Sequence, residues 1–249
     1  MPLAQCNEKD YSLYNSSARH YDDVRFTGRA GQWGHQRQLK ILARLVDDWQ
    51  GKNVLEIGCG TGRITEMLVQ WGATVAATDI SSEMLKVARR RFHGKEAGQM
   101  PSFRVMSVSD TDIDLHSFEY IIMINVFGRL SNAAEAITLI AERMAPSSHF
   151  VFTFPCLTSV LFGFGSLVNA RGTSLSRDVT SRWYTPKAIE AYCTASGLRI
   201  QRFLGNHYVP VPRLLFWSLP FFWVCDKLLA DRFPARCPSV FVECVRTPS

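Results

Sequence analysis

The sequence predicts an α/β protein whose sheet is mostly parallel and covered by helices on both faces. Three observations predict it. Short apolar runs alternate along the chain with segments whose apolar residues recur at helical spacing. The run Asn53-Val54-Leu55-Glu56-Ile57 passes straight into Gly58-Cys59-Gly60-Thr61-Gly62 and then into a helical stripe. A second apolar run ends on Asp79, about twenty residues beyond the first glycine, the separation at which an acid meets ribose hydroxyls in nucleotide-binding βαβ units.

Taken in order, the apolar residues Leu39, Leu42, Leu45 and Val46 form a helical stripe between about Trp33 and Trp49, before Gly51. Val54, Leu55 and Ile57 make a strand buried on both faces. Gly58, Gly60 and Gly62 let the backbone turn sharply where a Cβ would keep a ligand away, and Ile64, Met67, Leu68 and Trp71 continue as a helix. Ala73–Asp79 is the second strand. Ser81 is a fitting N-cap for a helix running through Phe92, with Glu83 in its first turn. Phe103–Val108 is a third strand and Phe118–Asn125 a fourth. A helix over Ser131–Met144 and a fifth strand over Phe150–Phe154 follow. Thr185-Pro186 reads as N-cap and first helical residue, with Gly197 as the stop. Leu198–Leu204 and Ser239–Val245 supply two further strands.

The glycine spacing separates two ligand classes. A pyrophosphate-binding turn has G-x-G-x-x-G; here the spacing is G-x-G-x-G, with Glu56 two positions ahead. A carboxylate there repels a pyrophosphate but accepts hydrogen bonds from an ammonium group. The ligand this suggests is a nucleoside with a cationic amino-acid tail. Val54-Leu55-Glu56-Ile57-Gly58-Cys59-Gly60-Thr61-Gly62 resembles the first motif of class I S-adenosylmethionine-dependent methyltransferases.

The resemblance implies a Rossmann-like sheet of seven strands, the last antiparallel, in one domain over residues 1–249. Residues 1–32 would be an N-terminal lid, 33–154 the cofactor-binding core, and 155–184 and 205–238 insertions capping the acceptor site. It implies S-adenosylmethionine as cofactor, with Glu56, Gly58, Cys59, Gly60 and Gly62 around the methionine part and Asp79 on the ribose. Ile80 would flank the adenine, and Asp110, with Thr111 beside it, would accept from the adenine amino group. Asn125 would end the strand that passes between cofactor and acceptor. Tyr21-Asp22 matches the Tyr-Asp pair of a lid, and Arg37 matches a basic residue that meets the cofactor carboxylate. From the residues alone, the first 30 positions read equally as a tail, Arg37 as a solvated arginine and Asp110 as part of a polar turn.

Composition bounds the rest. The chain has 249 residues, 47% hydrophobic and 20% charged, with a net charge of +6. It has no long basic run and no appended RNA-binding module, so no nucleic-acid partner is expected. Arg89-Arg90-Arg91 suits a helix C-terminus, a membrane-facing basic surface being the alternative. The seven cysteines show neither C-x-x-C nor Cys/His metal spacing, which points to free thiols in a reducing cytoplasm and to no metal.

Two apolar stretches depart from a minimal methyltransferase. Residues 150–170 carry no charge, but their first part is the fifth strand and Pro155, Gly163, Gly165 and Asn169 interrupt them, which excludes a membrane span. Residues 209–229 are apolar and aromatic, broken by Pro210, Pro212 and Pro220. They read as a cap closing the active site or as an interfacial segment in peripheral contact with a membrane. Either suits a small, hydrophobic acceptor methylated at oxygen, with nitrogen or carbon, or a macromolecule, as alternatives. A non-catalytic scaffold has no need of both the glycine turn and Asp79. A phenol acceptor needs a base near neutrality; His207 is the first candidate and His20 the second, with Arg129, Trp183 and Tyr208 as acceptor-wall residues. The layout resembles the ubiquinone-pathway O-methyltransferases, yet Asn125-Val126-Phe127-Gly128-Arg129-Leu130 lacks the carboxylates those enzymes carry after strand four.

Overall fold

A computed structural model describes residues 8–96, 100–110, 113–159, 181–206 and 228–247. Seven strands form one sheet: β1 (Asn53–Ile57), β2 (Thr74–Asp79), β3 (Ser102–Val105), β4 (Tyr120–Met123), β5 (His149–Pro155), β6 (Leu198–Gly205) and β7 (Ser239–Arg246). Their spatial order is β3-β2-β1-β4-β5-β7-β6. β1 to β5 pair in parallel, and β7 runs antiparallel to both β5 and β6. The expected seven strands and the antiparallel last strand are both present.

The helices are α1 (Glu8–Ser17), α2 (Tyr21–Phe26), α3 (Arg29–Leu45), α4 (Arg63–Gln70), α5 (Ser82–Arg90), α6 (Ala133–Arg143) and α7 (Pro186–Ala195). Residues along each strand alternate between two apolar cores. Leu55, Ile57, Ile121, Met123, Phe150 and Phe152 pack with Ile137, Ile140 and Ile189 from α6 and α7. Val54, Val75, Ala77, Ile122 and Val151 pack with Ile41, Leu42, Leu68 and Leu85 from α3, α4 and α5.

Local chemistry sets the ends. Ser81 Oγ accepts from Met84 N at 3.1 Å, and Thr185 Oγ1 accepts from Ala188 N at 3.1 Å, so both expected N-caps form. Several bounds differ from expectation. α3 begins and ends earlier than the Trp33–Trp49 stripe, and the first 30 residues, aperiodic in sequence, contain α1 and α2. β3 stops at Val105, and β4 spans only Tyr120–Met123, because the chain leaves the sheet to line a cleft. Among the described residues, no helix is long and apolar enough to cross a membrane.

Candidate cofactor and acceptor cleft

Strand order reverses between β2 and β4 on either side of β1, and a cleft opens at the carboxyl ends of these three strands, the switch point where α/β sheets bind ligands. It encloses about 1110 Å³, its open mouth included. β1 delivers Glu56 and the glycine turn, β2 delivers Asp79, and the segment after β4 delivers Asn125 and Arg129.

Gly58, Gly60 and Gly62 all have positive φ (75°, 55° and 78°), but they serve different ends. A Cβ on Gly58 would collide with Val126 Cγ2, so this glycine lets the turn pack on the loop after β4. A Cβ on Gly62 would meet Ala88 Cβ at 3.0 Å; this glycine seats α4 against α5 and does not line the cleft. Around a Cβ on Gly60 there is nothing within 4 Å, so the bare backbone there faces open space.

The two carboxylates are held from behind. Asp79 accepts from Gly60 N and Ser81 N, each at 2.8 Å, which leaves lone pairs for donors from the cleft. Burial nevertheless raises its pKa, the backbone N–H groups opposing. Glu56, 2% exposed, accepts from Thr65 Oγ1 at 2.6 Å. Burial pushes its carboxyl up to about 7, with the Thr65 hydrogen bond opposing and Asp79 adding to the rise. Cys59 lines the cleft as a free thiol whose pKa burial raises further.

The N-terminal helices close one side. Tyr21 lines the cleft, and its neighbour Asp22 accepts from Thr61 Oγ1 at 2.7 Å and pairs with Arg91. Ser81 Oγ donates to Asn15 Oδ1 at 2.5 Å while capping α5. Tyr14, Tyr21, Phe26 and His35 follow one another in edge contacts, with centroids 6.1, 6.2 and 5.7 Å apart. Asn125 sits at φ 61°, an uncommon backbone for a non-glycine residue. Its N–H donates to Thr153 Oγ1 at 2.7 Å, and its Oδ1 accepts from Gln38 Nε2 at 3.3 Å.

Of the sequence-predicted residues, Tyr21, Glu56, Gly58, Cys59, Gly60, Asp79, Ile80, Asn125 and Arg129 come together in the cleft. Others do not line it. Arg37 points elsewhere: its Nε donates to Asn206 O at 2.9 Å and its Nη2 meets Asp231 Oδ1 at 3.2 Å. Asp110 turns back to accept from Ser107 N at 2.7 Å, because it closes a turn, and Met106, Ser107 and Val108 take the wall in its place. His20 is 80% exposed beside Asp23, and Trp183 also lies outside the lining. Thr111, His207 and Tyr208 lie outside the described residues, as does nearly all of the 209–229 stretch.

Sequence reasoning missed His35, Gln38 and Arg63. His35 and Gln38 extend the α3 apolar stripe by one turn, a polar pair on a buried face, and that was the available signal. Burial, then Arg63 and Arg91, hold His35 at about 4 against the pull of Asp22, so its imidazole is neutral near pH 7. Arg63 follows Gly62 directly, lies over the Phe26 ring at 4.3 Å, and keeps a buried Nε without a partner among the described residues.

The residues fit a nucleoside with an amino-acid tail: open space beside Gly60, acceptors on Asp79 and Glu56, and an unsatisfied N–H on Arg63. Among the described residues no cluster of His, Cys, Asp and Glu could hold a metal ion. A methyltransferase domain family matches residues 54–147, which run from within β1 through α6 and include the glycine turn. The chain is 29% identical over 193 residues to magnesium-protoporphyrin O-methyltransferase of Rhodobacter capsulatus, covering 77% of this chain and 78% of that protein. It is 26% identical over 165 residues to the ubiquinone biosynthesis O-methyltransferase of Nitrosococcus oceani, covering 65% and 69%. The crystal structure of magnesium protoporphyrin IX methyltransferase (ChlM) from Synechocystis PCC 6803 with bound SAH superposes with a TM-score of 0.69 at 17% identity, covering 95% of this chain and 98% of that one. With the sheet order, the glycine turn and Asp79 already in place, these similarities make the chain a class I S-adenosylmethionine-dependent methyltransferase.

Proposed function

We propose that the cleft methylates a small, lipophilic acceptor at oxygen. The observation that carries this reading is the convergence of Asp79, Glu56 and the open backbone at Gly60 on one cleft whose lining also includes the apolar Val126 and Leu130 beside Arg129. Asp79 accepts from the ribose hydroxyls, and Glu56 faces the ammonium group. Arg63, in place of Arg37, pairs with the methionine carboxylate. Ile80, Met106 and Val108 enclose the adenine. S-adenosylmethionine supplies an electrophilic methyl group, so the protein's work is to align the acceptor and exclude water.

Oxygen as the target is supported by the two O-methyltransferase relatives, whose names point to protoporphyrin and ubiquinone-pathway acceptors. The reading places the enzyme in the cytoplasm as a single domain, with the 209–229 stretch meeting the acceptor or a membrane surface. Calorimetric titration with S-adenosylhomocysteine tests the cofactor side. Micromolar binding that Asp79→Ala weakens by about tenfold or more supports it, as expected for loss of charge-assisted hydrogen bonds. Equal binding by the variant would overturn the assignment of Asp79.

A further inference from the structure

Glu56 lines the cleft yet is almost fully buried. Among the described residues the one donor to its carboxylate is Thr65 Oγ1 on α4, at 2.6 Å from Oε2. That leaves Oε1 to the cleft.

The mounting of Thr65 shows what its hydroxyl is for. Thr65 lies three residues after Gly62, in the first turn of α4, and is fully buried. A helical threonine commonly bonds a carbonyl three or four residues back. Here Thr61 O, four back, already accepts from Arg91 Nε at 2.6 Å, and Gly62 O, three back, accepts from Glu66 N at 2.9 Å. The hydroxyl turns across to β1 instead. The main chain of Glu56 is held by a different threonine: its carbonyl accepts from Thr78 Oγ1 at 2.9 Å. Thr78 fixes the strand and Thr65 fixes the carboxylate.

A carboxylate swinging freely in a buried site would not present one oxygen in a set direction. We propose that Thr65 is a positioning residue for the cofactor: its hydroxyl pins one oxygen of Glu56 and keeps the other turned to the cleft for the ammonium group. The inference rests on the proposed pose, in which Glu56 faces that group.

The same hydrogen bond has an electrostatic consequence. Burial pushes the Glu56 carboxyl up to about 7, and the Thr65 hydroxyl opposes the rise. The other groups facing Glu56 give no such help. Asp79, at the end of β2, adds to the rise, and Cys59 in the glycine turn is a protonated thiol. The β4 residues alongside, Ile121, Ile122 and Met123, are apolar. His35 from α3 is neutral near pH 7, and Arg63 from α4 is held for the cofactor carboxylate in the proposed pose. Without the hydroxyl, Glu56 keeps its proton to higher pH, and an arriving ammonium group has to displace it.

The test is calorimetric titration of the full chain with S-adenosylhomocysteine from about pH 5.5 to 8.5, in paired buffers of different ionisation enthalpy. Wild type is compared with Thr65→Val, Thr65→Ala, Thr65→Ser and Thr78→Val, with melting curves to show that each folds. Thr65→Val keeps the shape and removes the hydroxyl, and Thr65→Ala does so with a smaller residue. The expected result is that proton release on binding persists about one pH unit or more higher in both than in wild type. Their affinity falls about tenfold near pH 6 and less near pH 8.5. Thr65→Ser restores the wild-type profile. Thr78→Val loses stability but leaves the pH profile where it was. An unmoved profile in folded Thr65→Val or Thr65→Ala would overturn the proposal, with wild-type proton release leaving the Glu56 pose standing. A serine variant that behaves like valine, or an equal shift in Thr78→Val, would also overturn it, because packing and not the hydroxyl would then be responsible. Wild type that binds with no proton release near pH 6 would sink the Glu56 pose itself, and this role of Thr65 with it.

Discussion

Thr61 Oγ1, in the glycine turn, donates to Asp22 Oδ1 on α2 at 2.7 Å, and the other oxygen of Asp22 pairs with Arg91 at the end of α5. One carboxylate therefore ties the N-terminal helices to the turn and to the helix behind it. Arg63 approaches the same oxygen at 3.9 Å. Asp22→Asn keeps the shape but removes the charge, and hydrogen bonds to charged groups contribute about 1.5–3 kcal/mol. Limited proteolysis of this variant is expected to cut within α1 and α2 faster than in wild type. Affinity for S-adenosylhomocysteine is expected to fall about tenfold, because Tyr14 and Tyr21 are cleft walls carried on those helices. An unchanged cleavage rate would show that the aromatic contacts alone hold the segment.

Gly58 and Gly60 separate folding from binding. Both have positive φ, which costs a side-chain-bearing residue about 1–2 kcal/mol. At Gly58 a Cβ also strikes Val126, so Gly58→Ala is expected to lose about 3 kcal/mol or more in denaturant unfolding. At Gly60 the Cβ meets only open space. Gly60→Ala is expected to stay folded, with a loss of about 1–2 kcal/mol, and to lose binding of S-adenosylhomocysteine.

Glu56 couples cofactor binding to protons. With its carboxyl pushed up to about 7, it is mostly protonated in the free protein below that pH. Its ionisation then costs folding stability as pH rises from the ordinary value of 4.5 through about 7. An ammonium group brought to it favours the charged form. Binding of S-adenosylhomocysteine at pH 6 should therefore release a proton, and binding well above pH 7 should release none. Calorimetry in buffers of different ionisation enthalpy reads this directly. Glu56→Gln should shrink the release, leaving only the part due to Asp79, whose pKa burial also raises.

His35 makes the opposite contribution. Its pKa is lowered from 6.5 to about 4, so the stability it preserves is fully present above 6.5 and is lost as pH falls from 6.5 to 4. The groups that face it are Arg63 and Arg91, which lower it, and Asp22, which raises it. His35→Gln should flatten the fall of the melting temperature across that interval. An unchanged slope would show that His35 protonates freely in the folded protein.

The centre of the sheet was legible because β1, β4 and β5 are buried nearly throughout, whereas the edge strands β3 and β6 carry exposed residues. Val54, Leu55 and Ile57 read as a buried strand, and the distance of Asp79 from Gly58 pointed to a second strand end, which lines the cleft. The cofactor side was legible for the same reason: its residues lie within a few positions of strand ends. Arg37 and Asp110 were misplaced because distance along a helix or turn does not say which way a side chain leaves it. Asp231, far along the chain, draws Arg37 away, and Ser107 N draws Asp110 back. His35 and Gln38 were hidden among the apolar residues of α3, where only the packed structure shows that the buried face ends in a cleft. Arg129 was legible as a wall residue, but its unsatisfied Nη1 appears only once the turn around it is folded.

A crystal structure of the protein with S-adenosylhomocysteine tests the cofactor pose most directly. It should show the ribose hydroxyls on Asp79, the ammonium group facing Glu56, the carboxylate within hydrogen-bond distance of Arg63, and Arg129 Nη1 not bound to the nucleoside. A carboxylate seated on Arg129, with Arg63 left unused, would contradict the cofactor pose.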